Sequence, residues 1–213
     1  MLNTNGTVNG SSLSGSSTNG SGVTLSGNLT DSTANITGTT VDGSGVTVTG
    51  TVSNSTLTGG ASGNGSGVTV DGGGSVVNGT LDGSSVNGSG VTLNTTGTLD
   101  GSAVTGDSLG GSGVTVSGNL TDSTANITGT TVDGSGVTVT GTVSNSTLTG
   151  GASGNGSGVT VDGNVTGGTV SGNSTSGSGV SVGGNATVNG TDVSGNSTNG
   201  SGVDVSGNVT GGN

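Results

Sequence analysis

Gly43-Ser44-Gly45-Val46-Thr47-Val48 is one copy of the stretch that decides how this chain folds. Its core, Gly-Ser-Gly-Val, recurs with the Val at 23, 46, 68, 91, 114, 137, 159, 180 and 203, at intervals of 21 to 23 residues. A period held across 213 residues is an internal repeat, and it governs every other reading of the chain. With each repeated Val taken as position 1, position 3 is again apolar: Leu25, Val48, Val70, Leu93, Val116, Val139, Val161, Val182 and Val205. The residue between them is polar, Thr in seven of the nine starts. Alternation with period two puts the Val/Leu pair on one face and the Thr on the other, and β-branched residues suit that pleated geometry. Each repeat therefore opens with a strand.

Downstream of that strand a Gly follows at position 5 in all but one start, as in Gly27, Gly50 and Gly118, which predicts a corner with positive φ. Single apolar residues then recur, in places five apart, as in Leu99, Val104, Leu109 and Val114. Such beats between turn residues cannot build a one-sided helix. They suit short strands around a closed coil, each sending one or two side chains inward. The pattern predicts an all-β, single-stranded, right-handed parallel β-helix of about ten coils of 21–23 residues. A head coil (1–22) leads into full coils starting at 23, 46, 68, 91, 114, 137, 159 and 180, and a partial coil (203–213). No linker interrupts them, so 1–213 reads as a single repeat domain, expected to be a fragment of a longer array. The core column is Val23, Val46, Val68, Val91, Val114, Val137, Val159, Val180 and Val203. Differences in coil length are expected at the corner after the second strand.

A larger duplication overlies the coils. Residues 20–72 and 111–163 are identical except for Leu25 against Val116, and their offset equals four whole coils. An array that lengthens by complete coils keeps its register, which suits a stalk whose useful property is length.

Composition narrows the function. The chain has 53 Gly, eleven Asp and a net charge of −11, with no Lys, Arg, His, Cys, Pro or aromatic residue. Lacking cations, it has nothing to neutralise phosphates, so neither nucleic acid nor an anionic membrane is an expected partner. No apolar run reaches the ~20 residues that span a bilayer. The Ser residues have no His or Lys to act as base, and the Asp residues do not share columns on adjacent coils; Asp100 and Asp122 come nearest. No catalysis, cofactor or metal is expected. Cysteine-free composition fits an exported bacterial protein, although Met1-Leu2-Asn3-Thr4 opens no signal peptide.

Of 23 Asn residues, 21 begin Asn-x-Ser or Asn-x-Thr. Asn28, Asn35, Asn54, Asn64, Asn78, Asn94, Asn119, Asn126, Asn145, Asn164, Asn185 and Asn208 are candidate glycan attachment sites. The structural alternative is that both polar residues of the triplet share an outward face. An ice-binding face would need a second Thr column; its candidate, position 4, is broken by Asp71, Asp162 and Gly183.

In Gly-Ser-Gly-Val-Thr-Val and in blocks such as Val-Ser-Gly-Asn-Leu-Thr-Asp-Ser (116–123), the repeats resemble the passenger arrays of Gram-negative surface proteins. These are the filamentous-haemagglutinin-like, two-partner-secreted and autotransporter adhesins. The resemblance implies a secreted β-helix displayed at the cell surface, with adhesion to host or neighbouring cells through regions outside this segment; some members carry glycans at Asn-x-Ser/Thr. The expected function is a non-catalytic stalk segment of such an adhesin, with end-to-end self-association through open strand edges. The alternatives are a ligand-binding solenoid face, for ice or glycan, and a repeat expansion with no function of its own.

Overall fold

The computed structural model describes residues 9–30, 33–121 and 124–213, and in them the chain is a β-solenoid of about nine turns without helix. The first part of the head coil, including Leu2, Gly6 and Val8, lies outside the described residues, as do Asp31 and Asp122. Every strand pairs in parallel with its counterpart one coil away. Each full coil contributes a short first strand and a longer third strand, with a short second strand between them except in the coil starting at Val23, where Leu29 makes a single bridge to Val52.

The first strands stack as one sheet of nine, from Val23–Leu25 to Val203–Val205. Their Val-Thr-Val alternation appears as buried, half-buried, buried. Val91 pairs with Val68 and Val114, Thr92 with Thr69 and Thr115, so the repeated Val forms a continuous internal column. Outside it, the motif Ser from Ser21 to Ser135 bonds the Thr of the next coil, as in Ser44 Oγ to Thr69 Oγ1 and Ser66 Oγ to Thr92 Oγ1, both 2.7 Å.

The third strands form a second nine-stranded sheet, from Asn9–Ser16 to Asp192–Ser197. Leu13 pairs with Ile36, which brings the head coil into the same inward column. The second strands are split into a group of three, Thr51–Ser53 to Leu99–Asp100, and a group of five, Asn119–Leu120 to Asn208–Thr210. The ladder breaks where the corner before the second strand shortens by two residues and the corner after it lengthens by two. Leu99 and Leu120 nevertheless both remain fully buried, so the core runs through the break.

Coil length varies at all three corners, not only after the second strand. Val76, Leu99 and Val188 lie eight residues beyond their coil's first Val, whereas Leu29, Val52, Leu120, Val143 and Val165 lie six beyond. The second corner is longer in the coils starting at Val23 and Val114. The third is longer by one residue in those starting at Val46 and Val137, where Ala61 and Ala152 replace a Ser or Thr. Elsewhere that hydroxyl ties the corner down: Ser108 Oγ donates to the Gly88 carbonyl (2.7 Å) and accepts from the Gly111 amide (2.9 Å).

The corner glycines also differ from the expectation. Of the position-5 glycines only Gly72 has positive φ (63°). Gly50, Gly118, Gly141, Gly163 and Gly207 are small because corners stack: a Cβ on Gly118 would stand 1.9 Å from the Thr95 carbonyl oxygen, and one on Gly141 2.0 Å from that of Gly118, whereas one on Gly184 would meet nothing within 4 Å. The left-handed conformation belongs instead to the second corner, at Asn54, Asn78, Gly101, Asn145, Gly167, Gly190 and Gly211, with φ from 52° to 69°. Asn tolerates that region and β-branched residues do not. We expect Asn78→Gly to leave the melting temperature nearly unchanged and Asn78→Val to cost about 1–2 kcal/mol in thermal unfolding.

Candidate functional site

The motif that opens each coil is built against a second glycine column inside the third sheet. Gly15, Gly38, Gly59, Gly83, Gly106, Gly129, Gly150, Gly172 and Gly195 align strand by strand. Each faces the second Gly of Gly-Ser-Gly-Val. A Cβ on Gly38 would fall 1.9 Å from the Gly45 carbonyl oxygen; one on Gly106 would fall 2.1 Å from that of Gly113. Conversely, a Cβ on Gly45 would meet the Gly38 oxygen at 2.5 Å. Two backbones thus touch along the rod where the third strand meets the next first strand, and the motif is one wall of this seam.

From the core column, Val46, Val68, Val91, Val114, Val137, Val159 and Val180 are fully buried, Val23 nearly so, and Val203 in the last coil is 40% exposed. Four aliphatic columns fill the interior, and among the described residues no buried side-chain polar atom lacks a partner.

All twelve asparagines singled out as glycan sites are exposed, but they do not gather on one face. Asn35 and Asn126 lie on the outer face of the third sheet, each with its Thr two residues on beside it and a buried Ile between. Asn54, Asn78 and Asn145 hold the left-handed second corner. Asn28 and Asn119 accept hydrogen bonds through Oδ1 from the amides of Thr51 (2.9 Å) and Thr142 (3.2 Å) in the next coil. Asn94 is the next-to-last residue of a first strand, Asn164 and Asn208 begin second strands, Asn185 lies before one, and the backbone amide of Asn64 donates to Asp42 Oδ1 (3.1 Å) at the third corner. Several of these side chains therefore have structural work that the Asn-x-Ser/Thr pattern does not reveal.

Carboxylates stay apart: among the described residues, no three groups able to hold a metal come together. Asp100 and Asp107 instead accept hydrogen bonds from Thr124 and Thr130 one coil on.

One concave feature stands out, and it follows from a beat misjudged in the sequence. Leu109 does not point inward; it is 56% exposed, because the chain has already begun the third corner and the inward place belongs to Ser108. Val41 and Val132 are exposed in the same way, and Val86 half-buried. These side chains form one bank of a channel along the rod. The other bank is the outward column at the end of the third strands, Thr39, Gly60, Ser84, Asp107, Thr130, Gly151 and Asn173. Two hollows of about 680 and 600 Å3 meet at Asp107 and Leu109. The same sheet also carries the hydroxyl column that position 4 of the first sheet lacks: Thr37, Thr58, Thr105, Thr128, Thr149, Ser171 and Ser194, broken by Asp82.

No family model, curated protein or solved structure matches the chain.

Proposed function

We propose that the chain is a structural spacer, a β-solenoid stalk segment of a secreted bacterial surface adhesin that holds a binding region at a distance from the cell. The observation that carries this reading is the equivalence of the two duplicated blocks within one continuous stack. Val46–Val48, Thr51–Ser53 and Thr56–Ala61 recur four coils on as Val137–Val139, Thr142–Ser144 and Thr147–Ala152. Whole coils can be added without disturbing the core or the seam, so rod length is the property most easily varied. Adhesin membership and display at the cell surface rest on the resemblance of the repeats. Contact with host or neighbouring cells falls to regions outside this segment.

The test is to remove four coils. Deleting residues 23–113 joins Gly22 to Val114 and restores an intact motif. The shortened protein should remain folded, with its length in small-angle scattering reduced by about 19 Å at ~4.8 Å per coil. A collapse of β-structure, or no change in length, would contradict a modular spacer. Glycan attachment along the rod is decided by intact mass of the native protein: hexose-sized additions on Asn peptides support it, and their absence removes it.

A further inference from the structure

We infer that the channel between the third sheet and the third corner binds an uncharged linear polysaccharide along the rod axis. The inference goes beyond the spacer reading and stands independently of it. It starts from Gly60 and Gly151, outward-facing in the interior of third strands. Gly in a strand interior weakens it, and elsewhere in this molecule packing or positive φ accounts for such residues. Here neither does. Both have φ outside the left-handed region, and an added Cβ would meet nothing nearer than Ser84 Oγ at 3.5 Å or Thr130 Cγ2 at 4.0 Å. Their absent side chains leave room in the channel floor. Gly151 is the duplicated copy of Gly60, so each of the two hollows contains one.

The banks select the occupant. One is aliphatic, through Val41, Val86, Leu109 and Val132; the other offers hydroxyl, amide and carboxylate groups through Thr39, Ser84, Asp107, Thr130 and Asn173. A sugar chain has the same two characters, with C–H faces on its rings and hydroxyls at their edges. The hollows continue from coil to coil along the axis, which suits a polymer better than a compact molecule. A peptide strand would gain no main-chain ladder here, because the channel runs over a sheet face whose strands already pair within the rod. Charge removes further partners. With eleven carboxylates and no cation in the chain, and Asp107 in its bank, the channel repels polyanions.

The full chain should be retarded in native gels containing at least one of three uncharged polysaccharides: hydroxyethyl cellulose, galactomannan or laminarin. The double variant Gly60→Val, Gly151→Val fills the floor with residues that favour strands, and so should keep or raise the melting temperature. Its affinity for the retarding polysaccharide should fall at least tenfold. Retardation by none of the three, retardation only by a polycation such as chitosan, or undiminished binding by the folded double variant would each overturn the inference. If the double variant loses its fold, Leu109→Asp, at an exposed position, replaces it with the same expected loss.

Discussion

Val114→Asp should abolish the cooperative thermal transition of the coils around it. Val114 is fully buried, pairs with Val91 and Val137 in the first sheet, and lies in an interior filled by aliphatic columns. A carboxylate there loses its hydration, and a chain without Lys, Arg or His has no cation to pair with it. The cost should exceed about 4 kcal/mol, in the range of buried unpaired charges. In a solenoid each coil is stabilised through its neighbours, so the damage should spread to the adjacent coils. Far-ultraviolet circular dichroism on heating checks this. Leu109→Asp, on the outer bank of the channel, should shift stability by no more than about 0.5 kcal/mol. A Val114→Asp variant that melts like the parent would show that the inward face has been assigned wrongly.

The second large effect is expected from one methyl group. Gly106→Ala would place its Cβ 2.1 Å from the Gly113 carbonyl oxygen and 2.8 Å from Val114 Cγ2. The first neighbour is backbone, so relief requires the third strand and the motif to separate. Gly83 and Gly129 hold the same contact in the coils on either side and resist that movement. Overpacking of this kind costs about 3 kcal/mol. Gly60→Ala makes the same chemical change in a neighbouring column where the Cβ has space. It should be neutral or stabilising by about 0.5–1 kcal/mol, since it removes the strand-interior Gly penalty. Chemical denaturation of the two variants side by side separates a packing requirement from mere glycine abundance. Equal effects would remove the seam as a determinant of the fold.

Most of the architecture was legible because period-two alternation in Val-Thr-Val leaves little choice of face, and a constant spacing leaves little choice of register. The seam was harder to read. In Ile36-Thr37-Gly38 or Val104-Thr105-Gly106 the Gly stands where an inward aliphatic would continue the alternation, and a lone strand Gly ordinarily suggests a bulge. Its signal was present: an aliphatic, a polar residue and a Gly, seven or eight residues before the second Gly of the motif, in all nine coils. Most of the position-5 glycines stand at a corner as expected but for a different physical reason, close stacking of carbonyls in place of positive φ, which only Gly72 has. The channel was hidden by Leu109, whose five-residue spacing from Val104 and Val114 looks like core and in fact spans a turn. A linear pattern counts residues; it does not show that the chain has bent between two of them.

The central claim, a register-locked stack led by Gly-Ser-Gly-Val, is tested most directly by a distance. Thr47 and Ser181 occupy the same outward position six coils apart, linked step by step through Thr69, Thr92, Thr115, Thr138 and Thr160. Because the chain has no Cys, Thr47→Cys with Ser181→Cys gives two unique sites for spin labels. The stack predicts one narrow distance distribution near 29 Å, at ~4.8 Å per coil and broadened only by the labels. A broad distribution centred on the order of 60 Å, as for a flexible Gly/Ser-rich chain of that length, would contradict it.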